Sequence, residues 1–353
     1  MNIVFRVDAS IRIGTGHVMR CLTLADHLQK EGAQITFVCR EWKGNLNNFI
    51  ESKKFHVIRL SNQIDHFDQE IDANETLQNL KELREQVDLL IIDHYQIDIT
   101  WEQQVKNAVR KLMAIDDLAN RQHYCDLLLD QNYDHDYRTR YDQFVPVHCR
   151  KLLGPQYLIL RPEFIEARRH LKTRDGVVRR MLVFFGGSDP ENITEKALAA
   201  LKHIGFSSIH LDVVVGETNP NCEKIKQMCK EMKCYFHFQI DYLARLLSKA
   251  DLVLGAGGIM MWERCYLGVP SITVMVATNQ IKPVKAASSY GAIWNLGWHQ
   301  DVEVSDFIDK VNAALSSTDE LKQMNQRAMK LMNSQIIKQE QKNKVVEAIL
   351  DMK

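Results

Sequence analysis

The chain has 353 residues, 45% of them hydrophobic and 25% charged, which is too long for one modest core and suggests about two domains. Its 45 Lys and Arg balance 45 Asp and Glu, so no overall field draws it to nucleic acid or an anionic membrane, and an anionic ligand has to be met locally. No apolar run approaches the roughly 20 residues of a membrane helix, and Arg6 and Asp8 inside the first apolar segment argue against a signal peptide. The 8 cysteines are scattered without a C-x-x-C pair. The expectation is a cytoplasmic protein with reduced thiols. Cys222, Cys229 and Cys234 lie closest together but do not match a zinc spacing, so neither a metal nor another cofactor is expected.

The first apolar run, Ile3 to Val7, leads into I-G-T-G-H-V-M-R at Ile13 to Arg20. Gly14 and Gly16 permit a tight turn and close approach of a ligand to the backbone. The helix that follows offers free N–H groups and a positive dipole end, suited to an anion. His17 stands at that end, where the dipole favours a neutral imidazole over imidazolium. Val18, Cys21, Leu22, Ala25 and Leu28 continue one apolar helical stripe that Gly32 stops. Strands are predicted at Ile35–Cys39, Val57–Leu60, Asp88–Asp93, Leu112–Ile115 and Leu127–Leu129, with a polar helix around 74–86. This alternation implies a parallel sheet covered on both faces, with ligands at the carboxyl ends of its strands. Asp8 with Ser10, Asp93 with Tyr95, Asp116 with Asp117, and Asp130 with Gln131 and Asn132 all fall there. They predict a polar rim around His17.

The stretch from Arg161 to Asp175 reads as the crossing between domains. A new strand, Met181 to Phe185, then runs into Gly186-Gly187-Ser188-Asp189-Pro190. Ser188 and Glu191 are spaced as a capping box, with Asn192 and Glu195 as a competing cap. Strands follow at Ile209–Val215, Tyr235–Phe238 and Asp251–Leu254. Next comes Gly255-Ala256-Gly257-Gly258 and a helix bearing Trp262 and Glu263, ended by Gly268 and Pro270. Small residues there let a helix start approach a diphosphate, and Glu263, one turn in, has the reach to accept from both hydroxyls of a ribose. The other reading of Glu263 is a solvated helix face. Ser271–Val276 is a further buried strand, after which Asn279 and Gln280 offer amides at the same edge. The expected organisation is a first domain over 1–175, a second over 176–333, and a helix over 334–353. Ile336, Ile337, Val345, Val346 and Ile349 would pack that helix back on the first domain.

Two such domains with glycine turns aimed into a shared cleft resemble the GT-B nucleotide-sugar enzymes, and Phe238 to Gln280 resembles the UDP site of the transferase that makes lipid II. The closer resemblance is narrower. It rests on R-V-D-A-S-I-R-I-G-T-G-H-V-M-R-C, I-I-D-H-Y, I-D-D-L-A, L-L-L-D-Q-N-Y, L-I-L-R-P-E-F, G-G-S-D-P and G-A-G-G with W-E-R, spread in order over about residues 3–295. These follow the pattern of the UDP-2,4-diacetamido-2,4,6-trideoxy-β-L-altropyranose hydrolases of pseudaminic acid biosynthesis. The resemblance implies that His17 is the general base activating water at the anomeric carbon, with inversion, release of UDP and no metal. It implies that Asp8, Tyr95 and Arg161 face the sugar or the cleft, with Arg161 at the crossing between domains. It also implies that Gly187, Ile240, Gly258, Glu263, Asn279 and Gln280 hold UDP, Ile240 through its backbone. Ile259, Met260 and Met261 replace small hydroxyl residues of the relatives, which shifts phosphate binding to backbone N–H groups. The substrate partner is a UDP-sugar; no protein partner can be named. A glycosyltransferase using the same donor and a non-catalytic nucleotide-sugar sensor are the two rival readings.

Overall fold

The computed structural model describes residues 1–61, 66–206, 208–332 and 343–352. It divides into two compact units. Unit 1 comprises Met1–Asn132, Asp136–Ile159 and the C-terminal residues from 343 on; unit 2 comprises Tyr133–His135 and residues 160–332.

In unit 1 the order is β1 (Asn2–Val7), α1 (Gly16–Lys30), β2 (Gln34–Arg40), α2 (Asn47–Ser52), β3 (His56–Leu60), α3 (Gln69–Glu82), β4 (Val87–Asp93), α4 (Ile99–Val105), β5 (Val109–Ile115), β6 (Leu127–Asp130) and β7 (Arg150–Leu153). The sheet order is β3-β2-β1-β4-β5-β6-β7, parallel throughout. The alternation of side chains along β1 explains its two covers. Ile3, Phe5 and Val7 join Val18, Cys21 and Leu24 of α1 on one face, while Val4 joins Ala73, Trp101 and Leu112 on the other. Strand order reverses between β1 and β4, and the crevice outside such a reversal is where parallel sheets place ligands.

Unit 2 runs α5 (Pro162–Arg169), β8 (Arg180–Phe184), α6 (Ile193–Ile204), β9 (His210–Val215), α7 (Cys222–Met232), β10 (Tyr235–Phe238), α8 (Leu243–Lys249), β11 (Leu252–Ala256), α9 (Ile259–Tyr266), β12 (Ser271–Met275), α10 (Ile281–Ser289), β13 (Trp294–Trp298), α11 (Val304–Ser316) and α12 (Thr318–Leu331). Its parallel sheet is ordered β10-β9-β8-β11-β12-β13, with the reversal between β8 and β11. Both units are therefore Rossmann-like and doubly wound, as the β-α-β alternation implies.

The chain leaves unit 1 earlier than the expected boundary at 175. Residues 160–175 are tied into unit 2 by two arginines. Arg168 donates to the Tyr266 carbonyl, and Arg174 donates to the carbonyls of Ala250, Leu267 and Ser248, closing the C-terminal ends of α8 and α9. Of the expected helix over 334–353, Ile336 and Ile337 lie outside the described residues. The described part, α13 (Lys344–Leu350), buries Val345, Val346 and Ile349 in the core cluster that contains α1. Among the described residues no helix is long and apolar enough to cross a membrane.

Candidate active site

β1 ends at Val7, and the next eight residues form the turn before α1. Ser10 closes it: its carbonyl accepts from Gly14 N at 2.8 Å and its Oγ from Ile13 N at 2.9 Å. Gly14 has φ +80°, a conformation that strains any residue with a Cβ. Apart from its chain neighbours, no atom of the described residues stands within 4 Å of where a Cβ would project from Gly14 or Gly16, so both open onto free space. The side chain of Thr15 makes no cap to α1, whereas Asp68 and Asp98 cap α3 and α4. The first N–H groups of α1 thus remain available.

His17 follows in the first turn of α1 and is 8% exposed. Its Nδ1 lies 2.6 Å from Oδ1 of Asp93, at the end of β4 across the strand reversal. Burial acts to raise the Asp93 carboxyl, but the Arg20 guanidinium and His17 outweigh it and hold the group well below the usual carboxylate range. An ionised carboxylate only accepts, so Nδ1 carries a proton, and in the neutral form of the ring Nε2 presents its lone pair. Among the described residues no group bonds Nε2. The ring edge of His17 packs on Tyr95 at 4.5 Å between centroids, and the Tyr95 hydroxyl donates to Asp117 Oδ1 at 2.7 Å. Burial, reinforced by Asp117, keeps that phenol protonated far above its ordinary range. Of the residues singled out in the sequence, the structure puts His17 against Tyr95, with Gly14 and Gly16 in the turn just before it.

Asp8 is the exception. Its carboxylate is 1% exposed and already occupied. Arg6 donates to both oxygens at 2.6 and 2.9 Å, the Arg40 N–H donates at 2.7 Å and Trp42 Nε1 at 3.1 Å. Asp8 fastens β1 to the end of β2 instead of facing a sugar. Arg6 and Arg40 continue into Asp72 of α3, making a buried ionic cluster under the sheet.

In unit 2, β11 runs two residues further than expected, through Gly255 and Ala256. A Cβ on Gly255 would lie 2.8 Å from the Phe184 carbonyl oxygen, so that glycine serves strand packing. Gly257 serves packing too, since a Cβ there would lie 2.8 Å from Gln280 Oε1 and from Val284 Cγ2. Gly258, at φ +74°, has only the far end of Gln280 nearby and starts α9 without a side-chain cap. Gln280 Oε1 accepts from Val276 N at 3.0 Å, which orients its amide beside this turn, with Asn279 in the same 3-10 turn. Met261 points into the core, and Met260 Sδ sits 3.9 Å from Arg161.

Glu263, one turn into α9, is 2% exposed, not solvated. Arg161 grips it with Nε and Nη2, each 3.1 Å from a different carboxylate oxygen, and lies over the Phe164 ring at 4.7 Å. Burial pushes the Glu263 carboxyl up and Arg161 draws it back. The ribose acceptor expected from the sequence is therefore filled by a guanidinium of the same unit. Gly187 and Ser188 follow β8, both exposed, and Ile240 follows β10, half-buried, on the same carboxyl edge of the sheet. The cap of α6 is neither of the two expected. Asp189 at φ +36° accepts from Ile193 N and Thr194 N at 3.0 Å.

The residues missed from the sequence are Asp93 as partner of His17, and Arg20, whose i+3 spacing from His17 puts the two on one helix face. Among the described residues no group of three or more His, Cys, Asp or Glu is arranged to hold a metal ion.

Comparison with known proteins agrees with this architecture. Residues 181–345 match the model of the glycosyltransferase family 28 C-terminal domain. Acinetobacter baumannii MurG superposes with a TM-score of 0.65 over 99% of both chains at 12% identity. Arabidopsis thaliana UGT89C1 complexed with UDP superposes with a TM-score of 0.69 over 99% of both at 14% identity. The chain has the GT-B fold. In sequence it is 27% identical, over 79% of its length and 93% of the relative's, to the UDP-2,4-diacetamido-2,4,6-trideoxy-beta-L-altropyranose hydrolase of Campylobacter jejuni. The resemblance carried by the motifs therefore extends over most of the chain. It is also 28% identical to the uncharacterized protein MJ1062 of Methanocaldococcus jannaschii, over 78% of this chain and 55% of that one. The chain spans about half the length of that relative.

Proposed function

We propose that this protein hydrolyses a UDP-sugar, a UDP-linked 2,4-diacetamido-2,4,6-trideoxy-L-altrose, in the formation of pseudaminic acid. The observation that carries the reading is the geometry of His17: Nδ1 is fixed to the Asp93 carboxylate at 2.6 Å, and among the described residues no group bonds Nε2. In the proposed step Nε2 takes a proton from water as the water oxygen bonds to C1. The C1–O bond to the diphosphate breaks, and its electron pair leaves with UDP. The sugar is released with its anomeric configuration inverted. Asp93 stabilises the imidazolium that forms and holds the ring in place, as the carboxylate does in other His–Asp pairs. UDP is a good leaving group, so orienting water and meeting developing charge suffice, with no metal required. In unit 2 the uncapped start of α9 at Gly258 would hold the diphosphate, with Gln280, Asn279, Gly187 and Ser188 around it. Glu263 would hold the ribose and the backbone at Ile240 the uracil. The name of the Campylobacter relative supports the substrate. A cytoplasmic location fits a nucleotide-sugar substrate.

The match of residues 181–345 to a glycosyltransferase domain favours a second reading, transfer of the sugar to an acceptor other than water. Incubation of the protein with the UDP-sugar alone separates the two. Proton NMR should show UDP and the inverted free sugar appearing together without any acceptor. UDP-sugar that survives until an acceptor is added would establish the transferase. UDP-sugar that binds but stays intact under every condition would leave only a sensor.

A further inference from the structure

The carboxylate behind His17 does not belong to His17 alone. Arg20 Nε donates to Asp93 Oδ2 at 2.9 Å, and Arg20 Nη2 donates at 2.7 Å to Oδ1, the same oxygen that faces the imidazole. Nη2 is also only 3.4 Å from His17 Nδ1. The guanidinium is 6% exposed, so water screens it little. We propose that Arg20 is a positioning residue that sets the pH at which His17 works as a base. It fixes Asp93 by its two-pronged grip, and its positive charge opposes protonation of the neighbouring ring.

The charge balance around His17 supports this role. From α1 the ring faces Arg20 and, through Asp93, Cys21, whose thiol burial and Asp93 keep protonated. From β4 it faces Asp93, and from the following loop Tyr95, which stays a neutral phenol. Asp117, beyond β5, lies 3.6 Å from Arg20 Nη1 and touches the ring only through Tyr95 and Arg20. The charges nearest the imidazole are thus one carboxylate and one guanidinium, of opposite effect. A lone buried carboxylate at 2.6 Å would favour imidazolium and leave the base protonated near neutrality. With Arg20 sharing that carboxylate, an unprotonated Nε2 is kept available while the ring stays oriented.

This inference rests on His17 being the base, and two readouts keep the two ideas apart. The first needs no substrate: the protonation midpoint of His17 followed by NMR of 13C-labelled histidine, its signal assigned by its loss in His17→Asn. The second is the acid limb of kcat/KM for UDP release. In Arg20→Gln both midpoints should rise by about one pH unit, the size expected from removing one like charge at this distance. In Arg20→Lys, which keeps the charge without the fork, the midpoint should stay with wild type while kcat falls. Asp93→Asn should move the midpoint down. A folded Arg20→Gln whose NMR midpoint is unchanged or lower overturns the proposal. If Arg20→Gln fails to fold, a midpoint in Arg20→Lys that rises as far as one unit does the same. If the NMR midpoints move as expected but wild type releases no UDP, the hydrolase reading fails and the electrostatic assignment stands.

Discussion

The two glycine turns share one grammar and differ in what stands behind them. After β1 the carboxylate, Asp93, belongs to the neighbouring strand, and both its cationic partner and the imidazole ride on the helix. After β11 the carboxylate, Glu263, rides on the helix and its cation arrives from Arg161, just before α5. Three side chains fix Asp93, and Arg20 and His17 are each under a tenth exposed. A single guanidinium, 28% exposed, fixes Glu263. The first arrangement resists exchange because freeing Arg20 from Asp93 leaves two buried charges unpaired. In the second, Arg161 can reach solvent, and on the proposed reading ribose hydroxyls would then take over Glu263. On that reading, catalytic geometry and ligand binding call for different kinds of ion pair.

The largest effect that separates the two turns is on turnover. His17→Asn should lower the rate of UDP release by roughly 10²–10⁴, the range typical of a positioned base, while UDP binding measured by calorimetry stays near wild type. A variant that keeps most of its rate would remove His17 from the chemistry. Next is stability. Asp93→Ala strands the buried Arg20 and should cost about 3–5 kcal/mol, read as a lower denaturation midpoint. The corresponding loss in Glu263→Ala should be clearly smaller, since Arg161 can reach water. Equal losses would break the comparison. The third effect falls on binding: Glu263→Ala should weaken UDP affinity by about 1–3 kcal/mol, the worth of hydrogen bonds to a charged group. Unchanged affinity would mean that ribose never displaces Arg161.

Strands with a continuous apolar run were legible in the sequence, and the two that were not are β7 and β13. Each is an edge strand. Half of β7 is Arg150 and Lys151, and every residue of β13 is only half-buried, with a register shift opposite Thr273 and Val274. Edges need no core face, so their pattern carries little signal. His17 was legible because strand, glycines and helix start are consecutive. Its tie to Asp93 spans 76 residues and exists only once β4 pairs with β1. Asp8 was misread for want of a local clue that was present: Arg6, two residues earlier in a strand, must share its face. Likewise Glu263 was legible as a carboxylate one turn past a glycine start. Arg161, 102 residues away, was not legible as its partner.

The smallest effect concerns a third acid, Asp130 at the end of β6. Burial, helped by Asp117 and Asp116 and opposed by Arg140 3.3 Å away, pushes its carboxyl up to about 7. The folded value lies above the ordinary 3.8, so the folded chain prefers this proton. The stability it confers is complete below about pH 4 and is lost as pH rises through 7. Asp93 has the opposite sign: its carboxyl is held low, so its contribution is intact at neutral pH and fades only in strong acid. Asp130→Asn should therefore flatten the decline of the melting temperature between pH 5 and 8. The amide forfeits the attraction of Arg140, leaving a net gain on the order of 1 kcal/mol above pH 7, or about 2–4 °C. A variant whose melting temperature tracks wild type across that range would show that Arg140 already neutralises the carboxylate.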